Sequence, residues 1–253
     1  MTRRKHNHLN KKERAMTEAP MPQLSAGPAQ PNEKVTAKGS APFVLMHLWA
    51  LYAIWTAGWQ PKLVLIAFLS YYIRMMGVTI GYHRYFSHRA FKTNRVFQFV
   101  LAWWAESSIQ KGALWWAGHH RHHHKYSDQP EDIHSPVLRG FWYSHVGWML
   151  GPRYDATPWH SIKDFEKYPE LVFLNKYWVV PPLVTGAVIW AVGGFDAFVW
   201  AGIVATVFLW HGTFTINSLS HVFGSRRYRT TDTSTNNWLL AILTMGEGWH
   251  NNH

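Results

Sequence analysis

The chain carries 17 histidines in 253 residues and no cysteine, and most of the histidines fall into four groups. The first is His83-Arg84-Tyr85-Phe86-Ser87-His88 and the second is His119-His120-Arg121-His122-His123-His124. The third pairs Asn217 with His221, and the fourth is Gly246-Glu247-Gly248-Trp249-His250-Asn251-Asn252-His253. Neutral imidazole is the commonest metal ligand. Without a thiolate, a transition metal here must be held by His, Asp, Glu, Asn or water. His120, His123 and His124 have i, i+3, i+4 spacing, which places three imidazoles on one helical face and leaves His119 and His122 off it. His83 and His88 lie ~140° apart on an α-helix. They can share a site only if the helix ends or bends between them, or if ligands enter from both sides.

Taken singly, each group has a plain reading: a histidine near a membrane is an interfacial or hydrogen-bonded residue, and HHRHHH is a metal-buffering tract. Together they read differently, because each abuts the end of an apolar stretch on the same side. Solvated imidazoles massed beside hydrocarbon are costly, whereas ligated ones are accounted for. One zinc is satisfied by three or four ligands, so seven or more His with an Asn imply two metal ions. Imidazole suits Zn, Cu, Fe and Ni. Two irons beside a membrane favour O2 chemistry, and the residues alone leave zinc and copper open.

The elements that must position these groups are apolar. Hydrophobic residues make up 47% of the chain and charged residues 15%, against roughly a quarter charged in soluble domains. The 16 Trp suit a membrane–water boundary. Four stretches, Phe43–Trp59, Leu63–Gly81, Tyr177–Val192 and Ala197–Ile216, approach the roughly 20 residues that cross ~30 Å of hydrocarbon. Pro181-Pro182 is expected to bend or break the third. Val96–Ala105 and Phe141–Leu150 are half-spans that lie in the interface, dip in, or pack on the spans. Of the 25 Lys and Arg, only Lys62 and Arg74 fall in the hairpin turns or the spans. The turns therefore face away from the cytoplasm. The expectation is an all-α integral membrane protein with four transmembrane helices in two hairpins and a cytoplasmic His-rich cap. Residues 1–40 read as a disordered basic tail attracted to anionic lipid rather than to nucleic acid. Residues 41–253 read as one membrane domain.

In these four groups the chain resembles the membrane fatty acid desaturases of the stearoyl-CoA desaturase type. The matching pieces are Gly81–Arg89, His120–Lys125, Asn217–His221, Gly246–His253 and Ser144-His145-Val146-Gly147-Trp148. The resemblance implies a di-iron centre ligated by His83, His88, His120, His123, His124, His221, His250 and His253, with Asn217 contacting one metal through water. It implies no catalytic residue beyond that centre. It also implies O2-dependent insertion of a cis double bond, at the Δ9 position, into a long saturated acyl chain. The substrate would be an acyl-CoA or an acyl chain on another carrier or lipid, and the redox donor a cytochrome b5, ferredoxin or similar protein. The membrane would be a bacterial inner membrane rather than the ER. The family motif continues with one more His after His253, so the sequence reads as C-terminally truncated. The alternatives are a related di-iron hydroxylase or ketolase, and a non-enzymatic His-rich metal transporter.

Around the ligands, Asp128, Asp132 and Glu247 are candidates to orient metal-bound imidazoles, with Glu131 and Asp232 as further acidic neighbours. Glu106 and Gln110 are candidates to line an acyl tunnel. Arg74 must find a carboxylate or carbonyl, or snorkel. His47 and His211 stand alone inside the spans.

Overall fold

The computed structural model describes residues 34–253, and the elements of those residues are helical apart from two isolated β-bridges, Ser225 with Asn236 and Asn236 with Trp249. Most of the expected tail lies outside the described residues. Its last part differs from expectation, because residues 37–40 already form the first turn of a helix. Helix α1 spans Ala37–Ala57, and the Thr36 hydroxyl accepts from the Gly39 N–H to cap it. Gly58, at a positive φ that suits glycine, ends α1, and Pro61 opens α2 (Pro61–Met76) at a position where its missing N–H costs nothing. Helix α3 is Arg95–Glu106, α4 Ala113–Tyr126, α5 Phe141–His145 and α6 Pro169–Lys176. Helix α7 (Val180–Ala197) runs through a π-helical stretch, Phe198–Val204, into α8 (Ala205–Asn217), and α9 is Trp238–Leu243.

Among the described residues, three helical runs are long and apolar enough to cross a membrane: Ala37–Ala57, Pro61–Ser87 and Val180–His221. The third has 42 residues, about twice a bilayer's requirement, and is broken at Gly194, whose φ of 75° no α-helix contains. Beyond the break the chain doubles back: Trp190 stacks on Phe198 at 5.8 Å, and a Cβ on Gly186 would lie 3.1 Å from the Phe198 ring. The expected disruption at Pro181-Pro182 does not occur, because both prolines sit in the first turn of α7, where no intrahelical donor is lost. The outer faces are bare of partners, with Trp55 79% and Val192 85% exposed, as hydrocarbon-facing surfaces would be.

Two large cores hold the site, with a smaller cluster of Trp115, Ile133 and Trp148 beside His119 and His134. One packs α1, α2 and the Phe198–Ala205 stretch through Ala50, Ala53, Leu63, Val199 and Ile203. The other joins the end of α2 to α3, α4, α6 and α8 through Tyr82, Phe86, Leu101, Leu114, Leu171 and Leu209. The two expected half-spans differ from each other. Val96–Ala105 forms most of α3, which buries Leu101, Ala102 and Ala105, whereas Phe141–Leu150 is only a five-residue helix and a 3-10 turn. Arg74 is buried, and its guanidinium donates to the Thr206 hydroxyl and to the Ala201 and Ser70 carbonyls rather than to a carboxylate.

Candidate metal centre

The end of α2 resolves the spacing of the first histidine pair. Gly77–Ser87 is a π-helix of 11 residues, in which each turn closes from residue i+5 back to residue i. The His88 N–H donates to the His83 carbonyl at 3.1 Å, so residues five apart lie one above the other. The two rings meet at 4.5 Å. Small residues make this possible. A Cβ on Gly81 would lie 2.9 Å from the Leu101 carbonyl, so α3 packs directly on the wound segment.

All eight histidines of the expected ligand set fall into two adjoining clusters. His83, His88, His120, His124 and His253 form one, and His123, His221 and His250 the other, with the ligand atoms in each within 4.8 Å of one another. The three histidines of the expected shared face all reach these clusters but divide between them. His120 and His124, one helical turn apart, face the five-histidine cluster, while His123 turns to the other. His123 and His124, 5.7 Å apart by ring centres, link the clusters, as do His250 and His253 at 6.4 Å. His119 and His122 point elsewhere: the His119 ring contacts the Trp115 carbonyl, and His122 the Glu131 carbonyl.

The nitrogen separations fit metal coordination. Nε2 pairs stand 3.0 Å apart for His83–His253, 3.1 Å for His88–His120, 2.9 Å for His120–His124, 2.9 Å for His88–His253 and 3.1 Å for His221–His250. Two nitrogens each about 2.1 Å from one ion are about 3.0 Å apart at a right angle and about 3.4 Å apart at a tetrahedral angle.

Carboxylates face the far side of three of these rings, in the arrangement that fixes a ligating tautomer. His123 Nδ1 donates to Asp132 at 2.9 Å, and His221 Nδ1 to Asp128 at 3.1 Å. Glu247 lies 2.6 Å from His83 Nδ1, off the line of the ring N–H, so this is a charge contact rather than an aligned hydrogen bond. Burial alone would push both aspartates up. The His221 bond, with the Ser135 and Thr233 hydroxyls, instead holds Asp128 below the usual carboxylate range, and the His123 charge and bond do the same for Asp132. Burial and neighbouring imidazoles push His88 down to about 3 and His253 to about 4, and lower His120 and His250 well below normal. Those rings are neutral, the form that binds metal. His123 moves the other way: burial lowers it, but Asp132 raises it more.

An apolar chamber touches the five-histidine cluster at His120 and lies beside the other through His134, whose ring is against that of His123. His120, His134 and Asn217 line it with Trp116, Met149 and Phe214. Gln110 also lines it, donating to Thr213 at 3.1 Å. Glu106 does not. Its carboxylate accepts the Ala113 N–H at 2.9 Å and so caps α4, whose own N-cap, Gly112, has no side chain to do so. The Glu131 carbonyl meets His122, outside the clusters, and Asp232 organises its own loop through Thr230 and Ser234. Sequence reading missed His134, which is buried with its Nδ1 unpartnered and its ring 4.2 Å from that of His123. The Asp132-x-His134 spacing just after the histidine run was the available signal. His47 and His211 are not isolated either. Their Nε2 atoms are 2.9 Å apart, and His211 Nδ1 meets His145 Nε2 at 3.0 Å.

The family model for fatty acid desaturases matches residues 57–253, the stretch that contains both clusters. The chain belongs to the fatty acid desaturase family. It is 36% identical over 214 residues to the sn-1 stearoyl-lipid 9-desaturase of Anabaena variabilis, covering 83% of this chain and 78% of that one. It is 37% identical over 213 residues to the chloroplastic palmitoyl-monogalactosyldiacylglycerol delta-7 desaturase of Arabidopsis thaliana. It is 34% identical over 217 residues to a probable acyl-CoA desaturase of Schizosaccharomyces pombe. The last two matches cover 82% and 81% of this chain but 56% and 44% of those desaturases, so the chain spans about half the length of each.

Proposed function

We propose that this desaturase-family chain holds two iron ions in its two histidine clusters and inserts a cis double bond into a long saturated acyl chain at the expense of O2. The observation that carries this reading is the convergence of eight imidazoles into two adjoining groups, one of which meets an apolar chamber at His120. His83, His88, His120, His124 and His253 would hold one ion. His123, His221 and His250 would hold the other, with Asn217 reaching it through water. Five donors at right-angle separations exceed and misfit the tetrahedral set of a structural zinc, which supports iron. Bound iron would supply the O2-activating redox chemistry.

The reaction balances as R–CH2–CH2–R′ + O2 + 2e⁻ + 2H⁺ → R–CH=CH–R′ + 2H2O. Two electrons leave the chain and two come from a one-electron protein donor. Asp128 and Asp132 hold the Nδ1 protons of His221 and His123, which leaves each Nε2 lone pair free for metal. Trp116, Met149 and Phe214 exclude water beside the reacting carbons. Exposed Arg84 near His253 suits an acidic donor of the cytochrome b5 or ferredoxin kind. The Δ9 position follows the name of the Anabaena relative.

The Gly194 reversal supports four crossings in two hairpins, with Gln60 and Gly194 on one side and the histidines on the cytoplasmic side of a bacterial inner membrane. Fatty-acid profiling of cells expressing the protein tests the reaction. A new cis-monounsaturated product that disappears on iron depletion is expected. A hydroxylated product, or an unchanged profile with iron bound, would overturn it.

A further inference from the structure

Resting on the desaturase reading, we infer that the acyl chain reaches the histidines while still esterified to a membrane glycerolipid, entering at the bilayer surface rather than from a soluble thioester carrier. The chamber continues outward. Gln110, Trp115, Met149 and Phe214 line both it and a wider cleft. The rim of that cleft is formed by Lys38, Pro42 and Phe43 of α1, by the Leu150–Pro152 loop, and by Trp178 just before α7. These are the histidine-side ends of two spans.

The rim is fixed at that depth. The Thr36 N–H and hydroxyl both donate to the Leu150 carbonyl, at 3.1 and 3.2 Å. Gly39 packs so tightly there that a Cβ would lie 2.2 Å from the same oxygen. Bare apolar side chains begin beside the rim, with Leu45 63% and Val179 45% exposed. A glycerolipid ester already sits where hydrocarbon gives way to head groups, the level that Trp favours. Its chain can slide into the cleft without crossing water.

Charge makes a second argument. A CoA thioester carries a phosphorylated ADP with several negative charges, which calls for clustered cations. The rim's Lys111 is already committed: it pairs with Asp155 at 2.6 Å and lies over Trp115 at 4.5 Å. Among the described residues lining the cleft, that leaves Lys38 as the other cation. A weakly charged or zwitterionic head group fits this rim, and a nucleotide polyphosphate does not.

The test uses membranes containing the protein, O2 and a reduced electron carrier, with deuterated stearoyl chains in two arms. One arm carries them on phosphatidylcholine and the other on CoA, and both are read by mass spectrometry of the intact molecules. The phosphatidylcholine arm is expected to desaturate at least about tenfold faster, a gap of one decade in differential binding. Desaturated CoA ester with untouched lipid would overturn this inference and keep the desaturase reading. Failure of both arms in metal-loaded membranes would overturn the desaturase reading itself. Binding is read independently with phosphatidylcholine bearing a photoreactive acyl chain. Adducts are expected on Phe43, Met149 or Phe214. Adducts confined to outward-facing Leu45 and Val179 would refute entry through the cleft.

Discussion

Replacing Asp128 by Asn removes one charge from beneath one histidine cluster and almost nothing else. Asp128 is 1% exposed and is saturated with hydrogen bonds. One oxygen accepts the Thr233 N–H at 2.7 Å, the Thr233 hydroxyl at 2.6 Å and His221 Nδ1 at 3.1 Å, and the other accepts the Ser135 hydroxyl at 2.6 Å. An asparagine can keep its oxygen toward Thr233 and His221 and donate its amide to Ser135, whose hydroxyl can turn to accept. The backbone also tolerates the change, since residue 128 has φ 56° and Asn is among the residues most at ease there. What is lost is the charge assistance to His221, since such bonds are roughly twice as strong as neutral ones. Loss of an orienting partner typically weakens metal binding 10–100-fold, or about 1.4–2.7 kcal/mol. Equilibrating purified protein against graded chelator and measuring retained iron should give two release steps, with His250→Ala identifying the step of the three-histidine cluster. Asp128→Asn should move that step alone to weaker binding, because the five-histidine cluster has no bond to Asp128. Movement of both steps together, or of neither, would refute the assignment of Asp128 to His221 and its metal.

Three further outcomes follow from the geometry. Within the histidine run, His120→Ala and His124→Ala should empty the five-histidine cluster and His123→Ala the other, while His122→Ala leaves metal content unchanged; equal loss from all four, measured by elemental analysis, would contradict the split helix. Lowering pH should weaken metal binding first at the cluster of His123, because Asp132 raises that imidazole and a proton must leave it before metal binds, whereas His88 and His253 stay neutral down to about 3 and about 4; metal content at pH ~8 and ~6 checks the order. Gly81→Ala should lower thermal stability in detergent by roughly 1–3 kcal/mol and reduce retention at the five-histidine cluster, since its Cβ would push Leu101 and Ala105 away from the π-helical turn; an unchanged melting temperature would show that α3 does not pin that turn.

Much of this protein is written locally. Apolar length marks Phe43–Trp59 and Leu63–Gly81 as spans, and Gly194 in a turn without Lys or Arg marks the reversal. The ligand set is legible because imidazoles massed at the ends of apolar segments are costly to bury unless a metal binds them. Asp128, Asp132 and Glu247 are readable as candidates because metal-bound imidazoles need a partner and few carboxylates lie near. What the sequence could not settle was division and winding. A helical wheel with 3.6 residues per turn separates His83 from His88, and only the tight packing of Gly77 and Gly81 on α3 makes the π-helix that stacks them. The same wheel groups His123 with His120 and His124, because angular nearness on a helix says nothing about which neighbour each ring faces. His221 and His250, brought in from the turn after α8 and from the far end of the chain, draw His123 to their side. His47, His145 and His211 meet for the same reason: contacts between residues distant in sequence depend on how spans pack, and no local spacing encodes that.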